Sequence, residues 1–195
     1  MAPRSGISPC LVLLTVAGAT LASLPAACKN AATETEEPVM TFSLTSSAFS
    51  NNERIPKPYT GEGADVSPPL AWGEPPAAAQ TLALICDDPD APRGTWDHWL
   101  IWNIPAALRA LPEGVSKKDS PPEVAGAVQG SNSWPKVGYY GPMPPPGHGT
   151  HHYNFVLYAL DAPLALKPGA DKKALLAAMK GHVLGQAKLT GTYSR

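Results

Sequence analysis

Prolines constrain this chain more than any other feature: there are 23 of them in 195 residues. Proline has no backbone donor, and its ring collides with the carbonyl one turn back, so long helices are excluded wherever it recurs. Here it recurs almost throughout, in runs such as Pro144-Pro145-Pro146. Short strands joined by rigid loops suit such a sequence, because proline is tolerated at strand ends, at sheet edges and in turns. Apolar residues make up 44% of the chain, enough for an ordinary core. The net charge is −1 and the basic residues are scattered, so nothing invites a nucleic acid.

Residues 1–28 read as an export signal rather than as part of the fold. Arg4 opens it, Cys10 to Leu24 is largely apolar, and Pro25-Ala26-Ala27 supplies the small residues that processing requires. The apolar stretch is short for a bilayer span, which takes about 20 residues. Cys28, preceded by leucine and small residues, resembles a bacterial lipobox cysteine and is the expected lipidation site. Residues 29–38 are a polar linker with little to bury. The expected product is an exported periplasmic or cell-envelope protein, touching a membrane only through a lipid anchor, with one domain over 39–195. Within that domain Cys86 stands alone, so no internal disulfide forms and no zinc-type spacing exists. Its apolar neighbours mark it as a small buried hydrophobe.

The domain reads as mostly β. Met40 to Phe49 suits a first strand, and Thr81 to Cys86 is a continuous apolar run, as for a strand buried on both faces. Trp99 to Ile104 and Tyr153 to Leu160 are rich in aromatic and branched residues, and Ala187 to Tyr193 closes the series. A helix is expected at about 171–181, where good helix formers follow Asp171, a residue able to cap free backbone donors. A β-sandwich with one or two peripheral helices follows.

Two segments carry the chemistry. Asp88-Pro89-Asp90-Ala91-Pro92 is an acidic loop stiffened by proline, and Trp96-Asp97-His98-Trp99 leads from it into the next strand. Side chains two apart on extended chain point the same way, so Asp88 and Asp90 are expected to share one cavity. The second segment runs from Tyr140 through the proline–glycine loop to His151-His152-Tyr153. Alternation puts His151 and Tyr153 on one side and His152 on the other, with His148 at the loop surface. Imidazole and phenol groups, with backbone donors at Gly147 and Gly149, suit a phosphate or carboxylate. Four of the five histidines fall in these two segments.

Together with Ser67-Pro68-Pro69-Leu70-Ala71-Trp72 and Gly191-Thr192-Tyr193, these motifs resemble the phosphatidylethanolamine-binding protein (PEBP) family, in its bacterial Raf-kinase-inhibitor-like branch. The resemblance covers about residues 40–195. It implies a sandwich of two antiparallel sheets and a cavity for phosphate, acetate or phosphorylethanolamine-like head groups, lined by Asp88, Asp90, His98, Pro144, His151 and Tyr153. The chain departs from the pattern at His152, where relatives often carry arginine. No catalytic residue, metal or cofactor is expected. The alternatives are a metal-assisted hydrolase using Asp88, Asp90, His98 and His151, and a kinase or protease inhibitor acting by protein contact. There is no Gly-x-Ser-x-Gly elbow and no phosphate loop.

Overall fold

The computed structural model describes residues 40–195, so the expected export signal, Cys28 and the linker 29–38 lie outside the described residues. In chain order the elements are β1 (Met40–Thr41), β2 (Leu44–Thr45), β3 (Leu70–Trp72), β4 (Thr81–Asp88), β5 (Trp96–Pro105), β6 (Ala110–Leu111), β7 (Val128–Gln129), β8 (His151–Leu160), α1 (Lys172–Met179) and β9 (Val183–Tyr193). They make a six-stranded sheet in the order β1-β9-β8-β4-β5-β7 and a three-stranded sheet in the order β2-β3-β6. Every pairing is antiparallel except β1 with β9.

The apolar runs became the central strands for the reason their composition suggests. In β4, Leu82, Leu84 and Cys86 enter the core between the sheets, while Ala83 and Ile85 face the other side. β5 divides in the same way, with Trp99 and Ile101 inward and Leu100 and Trp102 outward. Leu175 and Met179 of α1 cover that outer face, so both sides of the strands are shielded and no polar alternation is needed. Asp171 caps α1 by accepting a hydrogen bond from the Ala174 amide at 2.8 Å. Gly181 follows with φ +82°, a left-handed conformation that ends a helix without a Cβ penalty.

Two expectations need correction. The single strand expected over Met40 to Phe49 is two short pieces, β1 in the large sheet and β2 in the small one. The chain switches sheets there, so a strict alternation could not persist. The second correction concerns β5, expected over Trp99 to Ile104 but running from Trp96 to Pro105. Opposite β4, the register passes from Cys86↔Trp99 to Asp87↔Asp97, leaving His98 without a partner position. This is a β-bulge, and a bulge re-aims the side chains beside it. It places Asp97 with Asp87 on the outer face, where Lys172 Nζ donates to both carboxylates at 2.9 and 2.6 Å. His98 is released towards the opposite side.

Candidate functional site

The mouth of a cavity of about 300 Å³ opens where the ends of β4, β5 and β8 meet the loop 141–150. Asp88 and His98 line it from β4 and β5, His151 and Tyr153 from β8, and Pro144 and Pro145 from the loop. Five of the six expected site residues therefore converge. The sixth does not. Asp90 lies outside the lining, and its Oδ2 accepts from the His152 amide and from His152 Nδ1, both at 2.8 Å. The shared cavity expected for Asp88 and Asp90 fails because β4 ends at Asp88 and the chain turns there. Asp88 Oδ1 accepts from the Asp90 amide at 2.9 Å, and period-two alternation stops at that turn.

Asp88 is a positioning group. Its Oδ2 accepts from His151 Nδ1 at 2.7 Å, with 5% and 1% of the two side chains exposed. Both carboxylate oxygens are thus occupied from within the protein. The far nitrogen of the same imidazole, His151 Nε2, lies 2.7 Å from His148 Nδ1. His148 is exposed on the loop, as expected, and in addition ends a chain running from Asp88 through His151 to the loop. Gly147 likewise departs from expectation, because its amide donates to the Arg195 carbonyl at 3.1 Å and is not free for a ligand.

His98 is 2% exposed and held from three sides. Its Nδ1 meets the Tyr140 carbonyl at 2.5 Å. The rings of Trp134 and Tyr153 stand edge-on to it, with centroids at 5.0 and 5.1 Å. Burial keeps the imidazole below its usual pKa, although the Tyr140 carbonyl and the nearby carboxylates of Asp88, Asp97 and Asp87 pull the other way. Tyr153 is fully buried, and its phenol is pushed far up by burial and then by the charge of Asp88. The hydroxyl therefore stays protonated. Asp88 lies close enough to act on it as a weak hydrogen-bonding neighbour, yet no acceptor among the described residues stands in full hydrogen-bonding geometry to it. Trp96 Nε1, on another lining residue, is also buried without an acceptor.

Among the lining residues that sequence reasoning did not name as site residues are Arg93, Trp96 and Trp134. Arg93 is exposed at the mouth and is the one lysine or arginine in the lining among the described residues. Its signal was the Pro92-Arg93-Gly94 turn between two strands, where a side chain projects from a strand end. Trp134 rides on a loop tied by Asn132, whose Oδ1 accepts from the amides of Trp134 and Lys136 at 2.9 and 3.2 Å. A tryptophan fixed this way serves as a wall. For the hydrolase alternative, no three His, Cys, Asp or Glu side chains among the described residues converge in a metal-holding arrangement.

Comparison with known proteins agrees with this architecture. Residues 45–194 match the family model described as phosphatidylethanolamine-binding protein. A UPF0098 protein of Methanothermobacter thermautotrophicus is 51% identical over 154 residues, which is 79% of this chain and 99% of that protein. A UPF0098 protein of Pyrococcus horikoshii is 49% identical over 150 residues, 77% of this chain and 75% of that one. Among solved structures, a PEBP homologue of Chlamydia trachomatis superposes with a TM-score of 0.72 at 39% identity, covering 80% of this chain and 98% of its own. An E. coli protein described as a new member of the mammalian PEBP family superposes at 0.74 and 29% identity, covering 79% and 98%. With the matched family model spanning the central strands, the bulge and the cavity alike, the chain belongs to the phosphatidylethanolamine-binding protein family.

Proposed function

We propose that this protein binds a small phosphate-bearing anion, of the size of inorganic phosphate or a phosphorylethanolamine-like head group, in the cavity between β4, β5 and β8. The observation that carries this reading is Tyr153, a protonated phenol lining the cavity beside Asp88, with no acceptor in hydrogen-bonding geometry to its hydroxyl among the described residues. A buried donor without a partner costs roughly 1–3 kcal/mol, and a ligand oxygen recovers that cost. Trp96 Nε1 is a second such donor, and Arg93 adds positive charge at the entrance. A volume of about 300 Å³ sits at the small end of the range for ligand sites, which fits a head group better than a whole lipid.

Isothermal titration of the domain with phosphate and with phosphorylethanolamine tests the reading. Arg93→Ala and Tyr153→Phe should each weaken binding by about tenfold, since one charge-assisted or buried hydrogen bond is worth on the order of 1.4 kcal/mol. Heats identical to wild type in both variants would show that any binding occurs elsewhere. The proposal extends to location, with the domain tethered at the cell envelope through an acylated Cys28. Incorporation of labelled fatty acid by the full chain, abolished by Cys28→Ala, is the expected result.

A further inference from the structure

The cavity presents donors on two sides and a bare acceptor on a third. His98 Nδ1 faces the Tyr140 carbonyl, and a carbonyl oxygen can only accept, so Nδ1 is the nitrogen that carries the proton. In the neutral ring Nε2 is then unprotonated. It meets no protein partner among the described residues and is not wholly buried, so it opens on the cavity that His98 lines. Asp88 cannot satisfy it, because both its oxygens act as acceptors and a carboxylate has no proton to donate. The clamp of Trp134 and Tyr153 leaves the ring no freedom to turn its other edge inward.

Resting on the anion reading above, we propose that His98 makes the site selective for anions that bring their own hydrogen-bond donor, and that it rejects fully ionised oxyanions of the same size and charge. A lone pair aimed at an unprotonated oxyanion oxygen is repelled by it. The same lone pair accepts a hydrogen bond from the P–O–H of hydrogen phosphate, or from an ammonium attached to a phosphate head group. Sites with a fixed buried hydrogen-bonding group discriminate strongly against a ligand lacking the complement, because that group is left unpaired.

Two pairs of ligands, titrated at pH 8, test the rule and separate the two donor sources. Hydrogen phosphate and sulfate share shape and charge and differ by one proton. Phosphorylethanolamine and ethyl phosphate share the phosphate and differ by the ammonium. Hydrogen phosphate is expected to bind at least about tenfold tighter than sulfate if the donor is O–H, and phosphorylethanolamine tighter than ethyl phosphate by a similar factor if it is N–H. Preference in either pair supports the rule. Equal affinity within both pairs overturns it while leaving anion binding intact, and absence of binding by all four ligands overturns both readings. His98→Gln puts an amide donor near the position of Nε2 and should bring sulfate within about threefold of phosphate. The ring nitrogen spectrum of the wild type gives an answer that needs no variant. Protonated Nδ1 with bare Nε2 is expected, and the reverse tautomer overturns the proposal.

Discussion

Two aspartate–histidine pairs join the end of β4 to the start of β8, and they differ in almost everything except their spacing. Asp88 and His151 are buried, bonded at 2.7 Å, and continue into His148. Asp90 and His152 are bonded at 2.8 Å with about half of each side chain in water, at 42% and 51% exposure. Each member of the inner pair lies one or two residues from its counterpart in the outer pair. The sequence therefore presents four similar polar groups, and the strand and turn send one pair into the site and the other to the surface. Motif membership alone does not make a ligand-binding group. The side of the strand does.

The sharpest way to break the comparison is to delete one carboxylate from each pair. Asp88→Ala leaves His151 and the Asp90 amide without their acceptor, and removing one partner of a buried polar pair costs about 3–5 kcal/mol. Urea unfolding should show the unfolding free energy falling by that amount, with a correspondingly lower midpoint, and Asp88→Asn losing less because the amide oxygen still accepts. An unfolding midpoint for Asp88→Ala equal to wild type would mean that the pair is replaced by water.

Acid should act on the inner region before it acts on the outer one. Burial lowers the folded-state pKa of His98 below its ordinary 6.5, so in the window beneath that value the unfolded chain takes up a proton that the folded chain resists. His98's contribution is complete above about pH 6.5 and is lost as pH falls towards the folded value. Asp88, Asp97 and Asp87 moderate the loss without reversing it. Unfolding measured between pH 8 and 5 should show wild-type stability declining and His98→Gln declining less. Parallel curves would remove His98 as the group responsible. Tyr153→Phe probes the same interior with the opposite sign. Without ligand it deletes a buried hydroxyl that has no acceptor, so stability should rise by about 1 kcal/mol, while affinity for phosphate falls.

These contrasts also mark what the sequence could convey. The apolar runs of β4, β5 and β8 announced the central strands, and strand alternation correctly separated His151 and Tyr153 from His152. Asp171 and the helix formers after it located α1 within two residues at its far end. Alternation failed wherever the backbone left its period. The turn after Asp88 sent Asp90 outward, and the bulge at His98 has no signature in a pattern of hydrophobic and polar residues. Arg93 and Trp134 were missed because they act from turns, where the side-chain direction is set by loop geometry and by tertiary hydrogen bonds such as those of Asn132. Local pattern carries strands well and carries loop direction poorly.

The smallest expected effect belongs to the outer pair. Hydrogen bonds from His152 hold the Asp90 carboxyl below its ordinary value, so the contribution is present above the unfolded pKa near 3.8 and fades as pH falls through the folded one. That window lies well below the one in which His98 responds. Exposed ion pairs are worth roughly 0–1 kcal/mol and are screened by salt, so Asp90→Ala should move stability by less than about 1 kcal/mol. The loss should shrink further in 1 M salt. His152→Ala should match it, because Asp90 and His152 meet each other at the surface rather than any group of the cavity. Phosphate affinity should stay within about twofold of wild type in both variants, a change too small to represent a lost hydrogen bond. A tenfold loss of phosphate binding in Asp90→Ala would restore Asp90 to the site and erase the distinction between the two pairs.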